Sequence, residues 1–124
     1  MTKEPEKLFG ATVRQRREEH QLGLREMAKM ISISPTYLSK IERDDYPPPA
    51  EDKVRAIAEL LDFDPDELLG LAGKVATDLT EIIKKRPREM ASFLRSASNM
   101  TAEQIAQIAQ IAQIAQSNRK RRKK

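Results

Sequence analysis

The sequence predicts an all-α fold, and two observations carry that prediction. No stretch of five or more positions alternates β-branched or aromatic residues with polar ones, so no strand is predicted. Apolar residues instead recur at three- and four-residue spacing along almost the whole chain, which is typical of amphipathic helices. Apolar residues make up 39% of the 124 residues and aromatic residues only 4%, so we expect a small, aliphatic core.

Five short helices are predicted within residues 1–73. The first has one stripe of side chains formed by Leu8, Phe9, Thr12, Val13 and Arg16. Ser34-Pro35 starts the third helix, because serine is a good N-cap and proline needs no amide partner at the first helical position. Three consecutive prolines then interrupt the helical pattern. The helices are placed near 5–20, 24–31, 35–43 and 50–62, and from Asp64-Pro65 onward.

A helical extension is predicted beyond these five helices. One helix lies near 76–85, and another follows Arg86-Pro87. Residues 101–104 have the spacing of a capping box, and four Ile-Ala-Gln units follow over 105–116. A period of three falls short of 3.6 residues per turn, so each isoleucine steps back by about 60° and the four share no face. Two interpretations of the repeat remain open: it helps the chain dimerise, or it only lengthens a helix.

Charge is distributed unevenly along the chain. The net charge is +4, but residues 44–73 carry a net charge of −7, while residues 1–43 carry +3. The last six residues, 119–124, are all basic. Basic ends and an acidic middle can orient a protein on a polyanion. The basic tail either adds phosphate affinity without sequence preference or only keeps the protein in solution.

Composition argues against an enzyme and against a membrane or secreted protein. The chain has no cysteine and one histidine, His20, which excludes a disulfide framework, thiolate ligands and a multi-histidine zinc site. No apolar run approaches the roughly 18 residues that span a bilayer, and the N-terminus has no apolar signal segment. We therefore expect a cytoplasmic protein without catalytic residues, metal ions or cofactors.

The helices at 24–31 and 35–43 are joined by a tight turn and form a helix-turn-helix pattern. Helices that cross steeply need a small residue at their contact, where we place Ala28, and Ile33 provides an apolar plug in the turn. At 100° per residue, four polar side chains of the second helix lie within an arc of about 100°, opposite its apolar side. They are Thr36, Ser39, Lys40 and Arg43. A helix fits the major groove of DNA, where such side chains reach base edges or phosphates.

A longer pattern surrounds this motif. It comprises Phe9-Gly10, Arg17-Glu18-Glu19, Leu22, Glu26-Met27-Ala28, Ile33-Ser34, Tyr37 through Arg43, Pro48, Ile57-Ala58, Leu60 and Asp66-Glu67-Leu68-Leu69. The combined pattern covers about 9–72 and resembles the Xre/Cro family of phage-repressor-like helix-turn-helix proteins. The resemblance implies a five-helix domain whose third helix lies in the major groove.

The resemblance also implies roles for individual residues. Phosphate contacts are expected from the backbone amide of Leu24 and from the side chains of Arg25 and Lys29. An ion pair between Arg17 and Glu42 ties the recognition helix to the scaffold in the family; the alternative here is two unlinked surface residues. The residues assigned to the base-reading face are Pro35, Thr36, Tyr37, Ser39, Lys40 and Arg43.

Several positions depart from the family's pattern. Leu24 stands where a glutamine that contacts phosphate is common, so only the backbone amide of Leu24 can donate to a phosphate. Ser32 and Asp44 stand where glycine is usual, and aspartate tolerates left-handed backbone better than most residues. Asp44 and Asp45 would repel a nearby phosphate. Tyr37 either reaches a phosphate or a sugar, or packs at the edge of the core.

Together these features predict a sequence-specific regulator of transcription that binds double-stranded DNA. We expect a repressor that acts as a homodimer on a two-fold symmetric operator, because one such domain reads only a few base pairs. The alternative is an antitoxin-type or adaptor protein whose C-terminal region binds a partner protein. The predicted division is a DNA-binding domain over 1–73, a helical dimerisation extension over 74–116 and a basic tail over 117–124.

Overall fold

The structure, a computed structural model, describes residues 8–122, and eight α-helices and no strand occur in that range. They are α1 (Phe9–Glu19), α2 (Leu24–Met30), α3 (Pro35–Glu42), α4 (Glu51–Leu60), α5 (Pro65–Leu71), α6 (Thr77–Lys85), α7 (Pro87–Ala97) and α8 (Ala102–Arg122). The all-α fold predicted from apolar spacing, five short helices followed by a helical extension, is thereby confirmed.

Several helices begin at the start signals that predicted them. Asp64 accepts a hydrogen bond from the amide of Glu67 at 2.9 Å, and Pro65 occupies the first position of α5. Thr101 and Gln104 form a reciprocal capping box before α8, with each side chain accepting from the other residue's amide at 3.0 and 3.1 Å. These side chains satisfy amides that have no acceptor within the helix.

One predicted helix boundary is wrong, and another helix extends beyond the repeat that predicted it. Helix α1 begins at Phe9, because Leu8 has an extended backbone and serves as the N-cap residue. The Leu8 side chain is 57% exposed and does not join the buried stripe, and residues 5–7 lie outside the described residues. Helix α8 continues past the repeat to Arg122, since the residues that follow Gln116 include no glycine or proline. The tail is therefore helical as far as it is described; residues 123–124 lie outside that range.

The core lies in the first of two units, which meet between Thr80 and Glu81. Helices α1 to α5 all contribute buried side chains, and burial of each large aliphatic one stabilises the fold by about 1.5–3 kcal/mol. The largest fully buried side chains are Met27, Leu38, Ile41, Ile57, Leu61, Leu68, Leu69, Val13 and Val54. The small, aliphatic core expected from the composition is therefore present.

The first five helices all end in a left-handed residue, as in the Schellman motif. At the end of α1, for example, the amide of Leu22 donates to the carbonyl of Arg17 at 3.1 Å. The left-handed residues are Gln21, Ser32, Asp44, Asp62 and Gly73, with φ between 52° and 70°. Four of the five are not glycine, so four helix ends carry a backbone conformation that disfavours a Cβ atom.

The second unit, from Glu81 onward, holds α7 and α8. No side chain is buried within its described residues. Phe93 and Leu94 of α7 are 43% and 46% exposed, and Ile111 of α8 is 67% exposed. No helix within residues 8–122 is both long and apolar enough to cross a membrane.

Candidate nucleic-acid interface

The turn between α2 and α3 is held by hydrogen bonds at both ends. The Ser34 hydroxyl accepts from the amide of Tyr37 at 3.0 Å and so caps α3. The amide of Ile33 donates to the carbonyl of Ala28 at 2.9 Å and closes α2. The ammonium of Lys53, from α4, donates to the carbonyl of Ile31 at 2.8 Å. The turn therefore has little freedom to change the angle between the two helices.

Helix α3 has one buried side and one exposed side. Leu38 and Ile41 are 0% and 1% exposed and face the core. The six residues assigned to base reading lie outside the core. Pro35, Thr36, Tyr37 and Arg43 are exposed, while Ser39 and Lys40 are half-buried. Arg43 forms the C-cap of α3, one residue beyond the helix.

An ion pair fixes α3 to α1. Arg17 donates from Nε to Glu42 Oε2 at 2.8 Å and from Nη2 to Glu42 Oε1 at 2.9 Å. Its third bond, from Nη1 to the carbonyl of Leu22 at 2.9 Å, reaches the loop before α2. The hydrogen bond to Glu42 raises the pKa of the Arg17 guanidinium above its ordinary value. Both side chains are nearly buried, 12% and 4% exposed, so the pair fixes the position of α3 relative to α1.

The acidic residues after α3 are both engaged with neighbours. Asp44 Oδ1 accepts a hydrogen bond from the amide of Gly10 at 2.8 Å. Asp45 pairs with Arg43 at 3.5 Å, and both of these side chains are more than half exposed. Sequence reasoning treated Asp44 as a residue that tolerates left-handed backbone and as a charge that repels phosphate, and it missed the hydrogen bond to Gly10. Gly10 was the available signal in the sequence. Glycine is a poor helix former, so its presence in the first turn of α1 indicates a close approach of another segment.

A shallow recess of about 200 Å³ lies beside α3. Its lining consists of Arg14, Arg17, Leu24, Ser39, Glu42 and Arg43. Arg14, which sequence reasoning did not single out, is exposed and bonds Glu18 at 3.1 Å. The recess brings two exposed guanidinium groups close to the start of α2. The predicted phosphate-contacting residues Arg25 and Lys29 are also exposed, on α2 itself.

Tyr46 contacts both Lys40 and Tyr37 on the exposed side of α3. The Lys40 ammonium donates to the hydroxyl of Tyr46 at 3.2 Å and lies 4.8 Å from the centroid of that ring. The rings of Tyr37 and Tyr46 meet edge to face, with centroids 6.1 Å apart. Tyr46 lies in the loop after α3 and was missed by sequence reasoning, since nothing in the spacing of six residues indicated this contact.

His20, the one histidine, lies away from this face. Its Nε2 is 2.8 Å from the carbonyl oxygen of Leu61, which links the end of α1 to the end of α4. A separate recess of about 570 Å³ is lined by α1 and α5 and includes Arg16 and Phe63. There the Arg16 guanidinium lies 4.7 Å from the centroid of the Phe63 ring.

Comparison with solved structures yields repressor and regulator chains. The DNA-binding domain of the P22 c2 repressor shares 27% identity, with 53% of this chain and 86% of that chain covered and a TM-score of 0.48. SinR, described as the master regulator for biofilm formation and solved in complex with DNA, shares 29% identity, with coverages of 50% and 98% and a TM-score of 0.46. ClgR from Corynebacterium glutamicum, a clp gene regulator, shares 24%, with coverages of 75% and 97% and a TM-score of 0.47.

No curated protein matches the chain in sequence. A family described as a helix-turn-helix domain matches residues 8–71, more than half of the chain. The matched range contains α1 to α5, the turn between α2 and α3, and the ion pair beneath α3. The protein therefore belongs to this helix-turn-helix domain family, in agreement with its resemblance to Xre/Cro proteins.

Proposed function

We propose that the protein is a sequence-specific regulator of transcription, a repressor that binds double-stranded DNA as a homodimer on a two-fold symmetric operator. Residues 1–73 form the DNA-binding domain in this proposal, 74–116 the dimerisation extension and 117–124 a basic tail. The function is binding, without a catalytic step or a cofactor. Its place of action is the cytoplasm, on the DNA of the nucleoid.

The observation that carries the proposal is the polar, exposed side of a firmly held α3. The major groove is about 12 Å wide and admits one helix. Thr36, Ser39 and Lys40 offer hydroxyl and ammonium groups on that side. The ion pair beneath α3 and the capped turn before it hold these groups on a rigid scaffold, and rigid presentation lowers the ordering cost of binding.

Phosphate contacts position the recognition helix in this proposal. Arg25 and Lys29 approach the backbone of the DNA from α2, and the Leu24 amide donates from its first turn. Arg43 lies at the end of α3 and can serve a base or a phosphate. The basic residues of 119–124 add charge that does not depend on base sequence. Each phosphate neutralised in this way steepens the dependence of affinity on salt.

The exposed apolar side chains of the C-terminal half support the dimer. Ile82, Phe93 and Leu94 are each more than 40% exposed. Apolar residues gathered at helical spacing on α7 are typical of a surface that is covered by another chain. A second copy is the occupant we propose, since two half-sites about 34 Å apart need two recognition helices.

The same apolar residues favour the second candidate function. In an antitoxin-type or adaptor protein, α7 would be covered by a different protein and not by a second copy. The mass of the purified protein in solution distinguishes the two. A stable dimer that resists dilution favours the operator-binding repressor, whereas a monomer that gains a partner favours the second candidate.

Selection of binding sites from random duplex DNA tests the proposal. At near-physiological salt the intact protein should enrich a two-fold symmetric motif. Ser39→Ala and Lys40→Ala should change the preferred bases, each lost contact costing about 1–3 kcal/mol of discrimination. Lys84→Ala is the matched control, because it removes one exposed charge in α6 far from α3 in sequence.

Deletion of 119–124 separates base reading from charge. Without these residues all sequences should bind more weakly and the salt dependence should become shallower, while the preferred motif stays the same. Enrichment of no motif by the intact protein would contradict the proposed function. Equal weakening of all DNA by Lys40→Ala and by the deletion would contradict the division into a reading face and a charged tail.

A further inference from the structure

Tyr46 stands directly against a residue of the reading face, although it lies outside the helix-turn-helix. Its hydroxyl accepts from the Lys40 ammonium at 3.2 Å, and the centroid of its ring lies 4.8 Å from the same ammonium. The backbone joins the two residues as well, since the amide of Tyr46 donates to the carbonyl of Lys40 at 3.3 Å. Three separate contacts thus link this one pair.

The loop around Tyr46 is stiff. Three prolines follow it directly, each with a restricted φ, and the last of them, Pro49, is buried. The Tyr37 ring also packs against the Tyr46 ring in an edge-to-face arrangement. The position of the Tyr46 ring is therefore set by the protein before any DNA arrives.

A lysine that reads a base normally has to be ordered first. Its four-carbon stem is flexible, and fixing it opposes binding through lost rotamer entropy. The contact with Tyr46 confines the stem of Lys40 in advance. An ammonium has three donors, and the bond to the tyrosine hydroxyl uses one of them. Two donors stay available for acceptors on a base.

We propose that Tyr46 is a positioning residue that holds Lys40 toward the edge of a guanine in the major groove. Guanine presents two adjacent acceptors, O6 and N7, which suit a lysine donor better than the groove edges of the other bases. Tyr46 itself makes no base contact in this arrangement and acts through Lys40. The inference rests on the proposed function, because it concerns how the same face selects its DNA.

A double-mutant cycle on the selected operator tests the inference. Tyr46→Leu removes the ring and the hydroxyl, and it should reduce the preference for guanine at the Lys40-dependent position by roughly two- to fivefold, the size of an exposed cation–π contact. Tyr46→Phe keeps the ring and should lose less. In the Lys40→Ala background, Tyr46→Leu should leave base preference unchanged, because no ammonium remains to be positioned.

A structural role alone would not give this pattern. Loss of folding would weaken binding to all sequences, so urea unfolding midpoints are measured for every variant. In the absence of DNA, the proton chemical shifts of the Lys40 ε-methylene report whether this side chain lies next to the Tyr46 ring. They should differ from ordinary lysine values in the intact protein, because of the Tyr46 ring current, and move to those values in Tyr46→Leu.

Each remaining result counts against a defined claim. An unchanged guanine preference in Tyr46→Leu overturns the inference and leaves the proposed function standing. An equal effect of Tyr46→Leu with and without Lys40 also overturns it, since Tyr46 would then contact DNA by itself. Ordinary ε-methylene shifts in the intact protein overturn the pre-positioning. Selection of no motif by the intact protein overturns the proposed function and the inference together.

Discussion

Asp44, just after the end of α3, caps the start of α1 by accepting a hydrogen bond from the amide of Gly10. The N-cap residue of α1 is a leucine, whose side chain offers no hydrogen-bond acceptor. A Cβ atom on Gly10 would overlap the carbonyl oxygen of Ile41 and the Asp44 carboxylate. The glycine therefore permits the close approach of α1 and α3, and the aspartate uses that approach to replace a missing local cap.

Replacement of this aspartate should destabilise the domain. Asp44→Ala leaves the Gly10 amide without its acceptor, and loss of a helix cap costs about 0.5–2 kcal/mol. The urea unfolding midpoint should fall, while Asp45→Ala, the matched control on the neighbouring exposed carboxylate, should change it little. Equal midpoints for the two variants would contradict the capping role.

The ion pair between Arg17 and Glu42 predicts strongly non-additive effects. Arg17→Met strands a nearly buried carboxylate and Glu42→Leu strands a guanidinium, and such losses cost about 3–5 kcal/mol when the pair is fully buried. The double variant Arg17→Met/Glu42→Leu removes both charges and should recover much of the lost stability. Free energies of unfolding for all four proteins make up the test. Additive losses would show that the two side chains act independently.

The left-handed helix ends offer a paired test of backbone strain. Gln21→Gly and Ser32→Gly should each raise the free energy of unfolding by about 0.5–1 kcal/mol, because glycine adopts positive φ without steric cost. Gly73→Ala should lower it by a similar amount. The space around Gly73 is open, so no clash confuses that result. Changes of the same sign at all three sites would exclude the conformational explanation.

The hydrogen bonds between Glu51 and Thr77 should make the stability of the start of α6 depend on pH. Its carboxylate accepts from the hydroxyl and the amide of Thr77 at 2.9 and 3.0 Å, and these bonds, the hydroxyl's most of all, lower the pKa of Glu51. A lowered pKa means that the folded state favours the charged form. The resulting stabilisation is present at neutral pH and disappears as pH falls through and below the ordinary glutamate value of about 4.3. Amide exchange in α6 should accelerate there relative to Glu51→Gln; parallel profiles would contradict this.

Breaking the ion pair between Arg43 and Asp45 should increase the affinity of the protein for DNA. Asp45→Asn removes a charge that repels phosphate and releases the guanidinium of Arg43, at a cost to stability that is small for so exposed a pair. Affinity for all duplexes should rise by roughly two- to fivefold, the effect of an exposed pair of this kind. Glu59→Gln, on α4, is the control for the change in net charge. An equal gain in both variants would assign the effect to net charge alone.

Sequence reasoning predicted the helices well because each depends on nearby residues. Ser34-Pro35 and Asp64-Pro65 signal helix starts on their own, and apolar spacing marks the buried side of α3. The contacts that shape the candidate interface depend on the folded chain instead. Gly10 and Asp44 are 34 residues apart, and the contact between Lys40 and Tyr46 depends on how the loop turns back after α3. The assignments to bases and phosphates stay predictions, since they concern a partner outside the chain.

The repeat in α8 would let that helix differ in length by units of three residues. Each Ile-Ala-Gln unit advances a helix by about 4.5 Å and turns its far end through about 300°. Gain or loss of one unit would therefore move the basic end along the helix axis and rotate it about that axis. A change of about six units, or five full turns, would restore its direction. A tandem repeat changes length in whole units without breaking the helix. A change in the number of units would therefore alter the direction and reach of the charged end while leaving α1 to α5 unchanged.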